Sequence, residues 1–340
     1  METPSIAVVV IGRNEGDRLK RCLRSIPQAI PAVYVDSGST DSSVAFARSL
    51  GIDVLALDMN VGFTAARARN AGWLHIVERK PSSEFIQFVD GDCEIDANWL
   101  EEATTAMRTE AGAAVIFGRR RERFPEKSIY NQMCDDEWNV PVGVVASCGG
   151  DALFRVSALR SANGYSEDLI AGEEPDLCLR LRRLGWFVRR IDAEMTLHDA
   201  DILAFGSWWR RAKRSGFAYA QHVLRHGELS EPQWRRQFNS IIFWGFIWPG
   251  SGVALGLLSG LWRPAASAAI LGVLVVSYAI QTGRIAARKK SDSGCSSRFA
   301  LLYAVLISAG KFAEFSGALS CLIGHKLKRP SRLIEYKRPT

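Results

Sequence analysis

The chain has 340 residues with 43 Lys and Arg against 36 Asp and Glu, a formal charge of +7, and is 47% hydrophobic and 23% charged. It is long enough for one large core plus an additional segment. Seven cysteines without a Cys-x-x-Cys pair exclude a disulfide framework and a zinc site, and imply reduced thiols in the cytoplasm. The positive balance fits either nucleic acid or an anionic membrane surface. It clusters beside apolar segments, which favours the membrane and sets nucleic acid aside. Up to Gln237 the sequence is charged and soluble in character, and from Phe238 it turns strongly apolar. Met1-Glu2-Thr3-Pro4-Ser5 lacks the basic and apolar regions of a signal peptide, so export of the first domain by that route is not expected.

Ile6 to Ile11 is a β-branched run bounded by Pro4 and Gly12 and reads as a buried strand. After the polar loop Arg13 to Asp17, Leu19, Cys22, Leu23 and Ile26 stand at helical spacing. A second strand, Ala32 to Val35, stops at Asp36, and the following turn can cap a helix from Ser42 to Leu50; Asp36 alone would read as such a cap. Val54 to Leu57 is a third strand, and Asn60 to Gly72 opens a helix rich in small residues, suited to close packing. Strands alternating with helices predict a parallel, right-handed βαβ sheet.

Glu84 to Val89 is the next apolar run, and it ends abruptly at Asp90 and Asp92. In open α/β sheets ligands sit beyond the carboxyl ends of strands, so both acids should project into a cleft. Two carboxylates one glycine apart can share a hard divalent cation, whose other positions are left to water and substrate phosphates. As a bare pattern, Asp-x-Asp is also a common solvated turn.

Ile11-Gly12-Arg13-Asn14-Glu15, Val35-Asp36-Ser37-Gly38-Ser39-Thr40-Asp41, Ala68-Arg69-Asn70-Ala71-Gly72 and Val89-Asp90-Gly91-Asp92 resemble, in order, the signatures of family 2 glycosyltransferases. The resemblance covers residues 5 to about 225. It implies a GT-A catalytic domain, α/β with a Rossmann-like, mostly parallel sheet, and C-terminal membrane helices would follow it. It also implies an inverting, hexosyltransferase-type transfer from a nucleotide-diphosphate sugar with Mg²⁺ or Mn²⁺. Carried over, it places Asp36 at the nucleotide base, and Glu15 and Arg69 in the nucleotide pocket, with Arg67 as Arg69's structural rival. Asp90 then faces ribose and metal, and Asp92 is a direct metal ligand.

Beyond Trp99 an amphipathic helix to about Arg108 and a strand from Ala113 to Gly118 are expected. The run Arg119 to Arg123 reads most simply as a solvated face, though its arginines could meet an anionic acceptor. Ser147 to Arg155 resembles the family's glycine loop, and Gly150 would let backbone approach sugar or phosphate. Glu173, Glu174 and Asp176 open a helix, as the helix dipole favours, with Pro175 in its first turn. The same segment resembles the family's Glu-Asp motif, whose second acid is the catalytic base. That role falls to Glu174, with Glu173 and Asp176 as rivals. Val188 to Ile191 and Met195 to Leu197 read as short strands, and His198 after them is a structural histidine or, by the resemblance, the last metal ligand.

Ser207-Trp208-Trp209-Arg210-Arg211-Ala212-Lys213-Arg214 combines aromatics with cations, the pattern of a helix on an anionic lipid surface. The expected layout is a cytoplasmic domain over 1–237 with basic interfacial helices at about 205–237, and a membrane region over 238–324. Two spans, 238–262 and 265–283, are expected, with a kink or re-entrant turn at Pro249 in the first. Residues 299–324 should form an amphipathic or hairpin-like segment, because a third crossing would put the basic tail at 325–340 outside, against the positive-inside rule. That rule implies an inner-membrane, multi-pass protein with its catalytic domain in the cytoplasm. Gln233-Trp234-Arg235-Arg236 lies where processive synthases carry Gln-x-x-Arg-Trp, but Gln237 stands in place of the Trp. A single addition to a membrane-associated, lipid-linked acceptor in polysaccharide or glycolipid synthesis follows as the expectation. A nucleotidyltransferase on a similar sheet and a non-catalytic membrane scaffold are the alternatives; oligomeric state is not encoded legibly.

Overall fold

The computed structural model describes residues 6–328, which fall into two compact units, one ending at Leu203 and one beginning at Ala204. The basic tail expected at 325–340 lies outside the described residues beyond Lys328.

In the first unit nine strands form one sheet: β1 (Ile6–Gly12), β2 (Ala32–Asp36), β3 (Asp53–Ala56), β4 (Phe85–Asp90), β5 (Cys93–Ile95), β6 (Ala113–Glu122), β7 (Gly143–Val145), β8 (Ala152–Arg155) and β9 (Phe187–His198). Their order is β3-β2-β1-β4-β8-β6-β9-β5, with β7 paired to β9. The run β3-β2-β1-β4 is parallel, as the alternating pattern requires. Beyond β4 the sheet is mixed: β8 runs antiparallel to both β4 and β6, and β5 and β7 run antiparallel to β9. The sheet is thus less parallel than expected, because β8 enters between β4 and β6 in the opposite direction and β5 and β7 join β9 the same way.

Helices α1 (Asp17–Arg24), α2 (Ser43–Ser49), α3 (Ala65–Arg79), α4 (Trp99–Thr109), α5 (Ile129–Glu137), α6 (Val156–Ser161) and α7 (Glu173–Arg183) complete this unit. Val8, Val9, Val10, Ile86, Phe88, Ile116 and Phe154 are fully buried, as strands covered on both faces demand. Gln87 is buried among them, and its side-chain oxygen accepts from Trp99 Nε1 at 2.8 Å. The two short strands expected within 188–197 are one bulged strand, β9. Likewise β6 runs on through the arginine run to Glu122.

The second unit holds α8 (Phe205–His226), α9 (Pro232–Ile242), a π turn (Phe243–Ile247), α10 (Trp248–Gly260), α11 (Pro264–Ser293) and α12 (Ser297–Lys326). Three stretches, Pro232–Gly260, Pro264–Ser293 and Ser297–Lys326, are helical, long and apolar enough to cross a membrane. Pro249 does not break the first. Its ring would clash with the carbonyl four residues back, at Gly245, and the helix widens into the π turn there. The segment expected to be amphipathic or hairpin-like at 299–324 is one unbroken helix, so a hairpin there is set aside. All seven cysteines are free.

Candidate active site

The chain threads β1, β2 and β3 outward and then crosses to β4 on the other side of β1, so the switch point of the sheet lies between β1 and β4. Asp36 pairs in register with Gly12 and Asp90 with Ile11, which sets both acids at the carboxyl rim on either side of β1. Asp36 is buried and accepts from Tyr34 Oη at 2.9 Å and from the Gly38 and Ser39 amides at 3.0 Å each. It orders the rim turn and does not cap α2, whose first amide bonds to Asp41. Glu15 lies against Gly12 and Gly91 and pairs with Arg18 at 2.9 Å, while its neighbour Asn14 bonds Ser39 and Thr40 of that turn.

Arg69, near the start of α3 and 2% exposed, joins the candidate donor and base groups. One guanidinium nitrogen donates to Asp90 Oδ1 at 2.9 Å, while the other meets Glu173 Oε1 at 2.9 Å and Glu174 Oε1 at 3.1 Å. Arg67 instead bonds the Asp58 and Val61 carbonyls, a loop-tying role. A Cβ on Gly150 would come within 2.6 Å of Arg69 Nη2 and 2.7 Å of Asp90 Oδ2, so only glycine fits over this pair. Burial, reinforced by the neighbouring Glu173 charge and opposed by Arg69, pushes the Glu174 carboxyl up to about 7. Asp176 is spent elsewhere, accepting from Ser166 Oγ at 2.8 Å and Arg180 Nε at 2.9 Å.

The other end of the rim is built by β5, β6 and β9, where His198 pairs in register with Cys93 on one side and Glu122 on the other. His198 Nε2 lies 3.2 Å from Asp92 Oδ2, and its Nδ1 lies 3.4 Å from Glu122 Oε2. Burial, then the charge of Arg120, lowers the His198 pKa and keeps the ring neutral, the form that ligates metals. Among the described residues, Asp92, Cys93 and His198 form the cluster close enough to share an ion, their ligand atoms all within 4.8 Å. Asp92 and His198 supply the oxygen and imidazole donors that Mn²⁺ accepts. Cys93 fits poorly, because burial raises its pKa and holds it as a thiol. Asp90, expected as a further ligand, stands outside this cluster, with its carboxylate on Arg69 and Arg120.

Arg120 corrects the reading of residues 119–123 as a solvated face. It is held 4.8 Å over the Trp138 ring, which meets His198 edge-on at 4.6 Å. Its guanidinium reaches Asp90 Oδ2 at 3.3 Å, Cys93 Sγ at 3.1 Å and Asp151 Oδ2 at 3.4 Å, and so links the two ends of the rim. Glu122 and Arg119 are buried as well, and in this run Arg121 faces solvent on Glu194. Asp151, also not anticipated, is 1% exposed; it accepts the Asp90 amide at 2.9 Å and Thr196 Oγ1 at 2.7 Å. The two-residue period of β6, extended past Gly118, was the available signal for Arg120 and Glu122.

A mixed sheet with acids pooled at its carboxyl rim, followed by long apolar helices, defines a membrane-anchored protein of the GT-A class. The solved mannosyltransferase PcManGT from Pyrobaculum calidifontis, in complex with GDP-Man and Mn²⁺, shares this fold: TM-score 0.54 and 16% identity over 95% of this chain and 88% of that one. The model of glycosyl transferase family 2 matches residues 7–159, and that of glycosyl transferase family group 2 matches residues 85–281, more than half of the chain. The chain belongs to glycosyl transferase family group 2. It is 25% identical over 241 residues to the pre-mycofactocin glycosyltransferase of Mycobacterium tuberculosis (strain CDC 1551 / Oshkosh), covering 67% of this chain and 49% of that protein. To glycosyltransferase AglE of Haloferax volcanii it is 27% identical over 213 residues, covering 58% of this chain and 65% of the relative. It thus spans about half the length of the first relative and under two thirds of the second.

Proposed function

We propose that the protein transfers a hexosyl group, with inversion, from a nucleotide-diphosphate sugar to a hydroxyl of a membrane-associated, lipid-linked acceptor in polysaccharide or glycolipid synthesis. The reaction takes place at the cytoplasmic face of the inner membrane. The observation that carries this reading is the Arg69 bridge, which gathers Asp90, Glu173 and Glu174 at the switch point of a family 2 sheet.

Glu174 is the base. A carboxyl raised to about 7 takes a proton at neutral pH more readily than an ordinary glutamate does, while remaining largely ionised just above that value. The acceptor oxygen attacks the anomeric carbon, its proton passes to Glu174, and the bond from that carbon to the diphosphate oxygen breaks on the opposite face. Asp36 and Glu15 line the nucleotide end, and Asp90 with Arg69 and Gly150 frames the donor's diphosphate and ribose. Asp92 and His198 would hold Mn²⁺ or Mg²⁺, and such an ion, when bound, would offset charge on the departing diphosphate. Arg120 supplies fixed positive charge beside it.

A donor-hydrolysis screen on the purified full chain, with nucleotide sugars of each base and sugar and with Mn²⁺ titrated in, tests the reading. At least one donor should turn over in a metal-dependent way and stabilise the protein thermally. Absence of turnover and of stabilisation across all donors would remove it.

A further inference from the structure

Two thiols of the first unit touch each other beside the Arg69 network, and the proposed transfer uses neither. Cys148 Sγ and Cys178 Sγ are 3.7 Å apart, and the residues are 7% and 0% exposed. They come from the two segments that meet at Arg69. Cys148 lies two residues before Gly150, in the connection 146–151 between β7 and β8, and at Gly150 only glycine fits over the Arg69–Asp90 pair. Cys178 lies on α7 one turn after Glu174, which meets the same guanidinium at 3.1 Å, and residues four apart on a helix share a face. The two cysteines are 30 residues apart in the chain, so no local spacing pattern marks them as a pair.

Buried cysteines often serve only as small apolar groups that fill a core. Contact with Cys178, then burial, raises the Cys148 pKa well above the ordinary thiol value, so the pair rests protonated and reduced. Its cover is thin on one side. Gly149, next to Cys148, is exposed, a Cβ there would meet nothing within 4 Å, and Ser147 is half-buried. Local opening of so short a segment brings Cys148 to solvent without unfolding the sheet. Cys178 stays covered, because α7 holds it in the main core beside Leu177 and Leu181. The two sulfurs therefore have different parts: Cys148 is the one that a small oxidant reaches, and Cys178 is the one placed to attack it.

We propose that Cys148 and Cys178 are a modification site, a dithiol that hydrogen peroxide oxidises to a disulfide, locking the Gly150 loop to the helix that carries Glu174. With 147–149 open, the Cys148 thiolate attacks one oxygen of the peroxide. The O–O bond breaks, the departing hydroxide takes up the thiol proton and leaves as water, and Cys148 becomes a sulfenic acid. The Cys178 sulfur then attacks the Cys148 sulfur, the S–O bond breaks, and the leaving hydroxide carries off the Cys178 proton as a second water. The two thiols lose two electrons and the peroxide gains them; dithiothreitol reverses the change. To bond, the sulfurs must close up from contact, and Cys148 draws Gly150 with it. Gly150 has no slack, since it already packs on Arg69 and Asp90, so the bridge from Asp90 to Glu174 through Arg69 is disturbed. The disulfide is independent of the proposed transfer, whereas its effect on turnover rests on that reading.

The test uses the purified full chain with Cys295→Ser, which removes the partly exposed thiol, treated with hydrogen peroxide, alkylated and digested. Mass spectrometry should find the Cys148 and Cys178 peptides joined and two hydrogens lighter than their sum, and apart again after dithiothreitol. Peroxide that leaves both cysteines open to alkylation, or that drives Cys148 to sulfinic acid without joining it to Cys178, overturns the site. This readout needs neither activity nor a further variant. The joined protein should turn over its donor several-fold more slowly and recover on reduction, while Cys148→Ser, confirmed as folded by its melt, should keep its turnover through the same treatment. Unchanged turnover in the joined protein, or an equal loss in Cys148→Ser, overturns the coupling to the Arg69 network. If no donor is turned over even when reduced, the catalytic reading falls, and the joined peptide still decides the dithiol.

Discussion

Both units bury charge, and they do it in opposite ways. At the rim of the first, Arg69 and Arg120 share Asp90 between them and extend to Glu173, Glu174, Cys93 and Asp151, so no carboxylate there has a private partner. In the second, Lys311 and Glu314 of α12 pair at 2.8 Å, and closeness elsewhere comes from glycine. A pooled network tolerates the arrival of a further charge, because each member can exchange one partner for another. The pair on α12 is instead local, joining two side chains three residues apart on one helix. The difference suits the first arrangement to ligand chemistry and the second to structure, and it can be broken residue by residue.

The largest effect should follow Arg69→Met. It strands Asp90, Glu173 and Glu174 with less compensation at once, and removing one member of a buried ion pair costs about 3–5 kcal/mol. Denaturant melts should show that loss, and transfer activity should fall below detection. A change confined to activity would mean the three acids do not depend on Arg69 for their burial. Next is Glu174→Gln, with an expected loss of roughly 10²–10⁴ in kcat as the base disappears. Because the folded carboxyl is raised from 4.5 to about 7, the side chain favours folding while protonated, and that contribution is lost as pH rises through about 7. The Gln variant should therefore melt above the parent at pH 8 and gain less at pH 5, while parental kcat/KM falls as pH drops below about 7. An inactive variant without the stability gain at pH 8 would detach the base from the strained carboxyl.

Glu122→Gln probes the far end of the rim. Glu122 orients the His198 ring, and groups that orient a metal-binding imidazole are worth about 10–100-fold in metal affinity. Calorimetric titration with Mn²⁺ should show a loss in that range; unchanged affinity would remove Glu122 from the site. Smaller again is Gly150→Ala. Its methyl group would have to displace the Arg69–Asp90 contact, and overpacking of this kind costs about 1–3 kcal/mol. The expected sign is a raised donor KM with kcat less affected, since Gly150 touches the donor end of the pool and not Glu174.

How much of this was legible in one sequence follows from the range of the interactions. Asp90 and Asp92 declare themselves because a buried strand ends at them, and the parallel run β3-β2-β1-β4 is encoded in local alternation. Arg120 and Asp151 were not readable as site residues. Arg120 sits in a run of charges that looks solvated until β6 is seen to pass between β8 and β9, and Asp151 opens an antiparallel strand whose place beside β4 is set by pairing some 65 residues apart. Asp176 was the converse case: first-turn acid and site acid look alike in sequence, and only the partners Ser166 and Arg180 separate them. In the second unit hydropathy alone marks three long helices, but it cannot show that Gly216 and Gly317, about a hundred residues apart, bring α8 and α12 into contact.

The smallest expected effect is the most discriminating for the comparison. Lys311→Met and Glu314→Leu together replace a local pair by apolar side chains of similar volume, and such replacements are commonly neutral or stabilising. The side chains are 10% and 14% exposed, so each single change takes an opposite charge away from a mostly buried one and should cost on the order of 2 kcal/mol, whereas the double variant should melt within about 1 kcal/mol of the parent. Thermal melts of all four proteins in one detergent close the cycle. If the double variant were as weak as the worse single one, the pair would be energetically tied into a wider set of groups, as Asp90 is. The contrast between pooled and local charge would then have to be given up, and α12 would become a second place to look for a ligand.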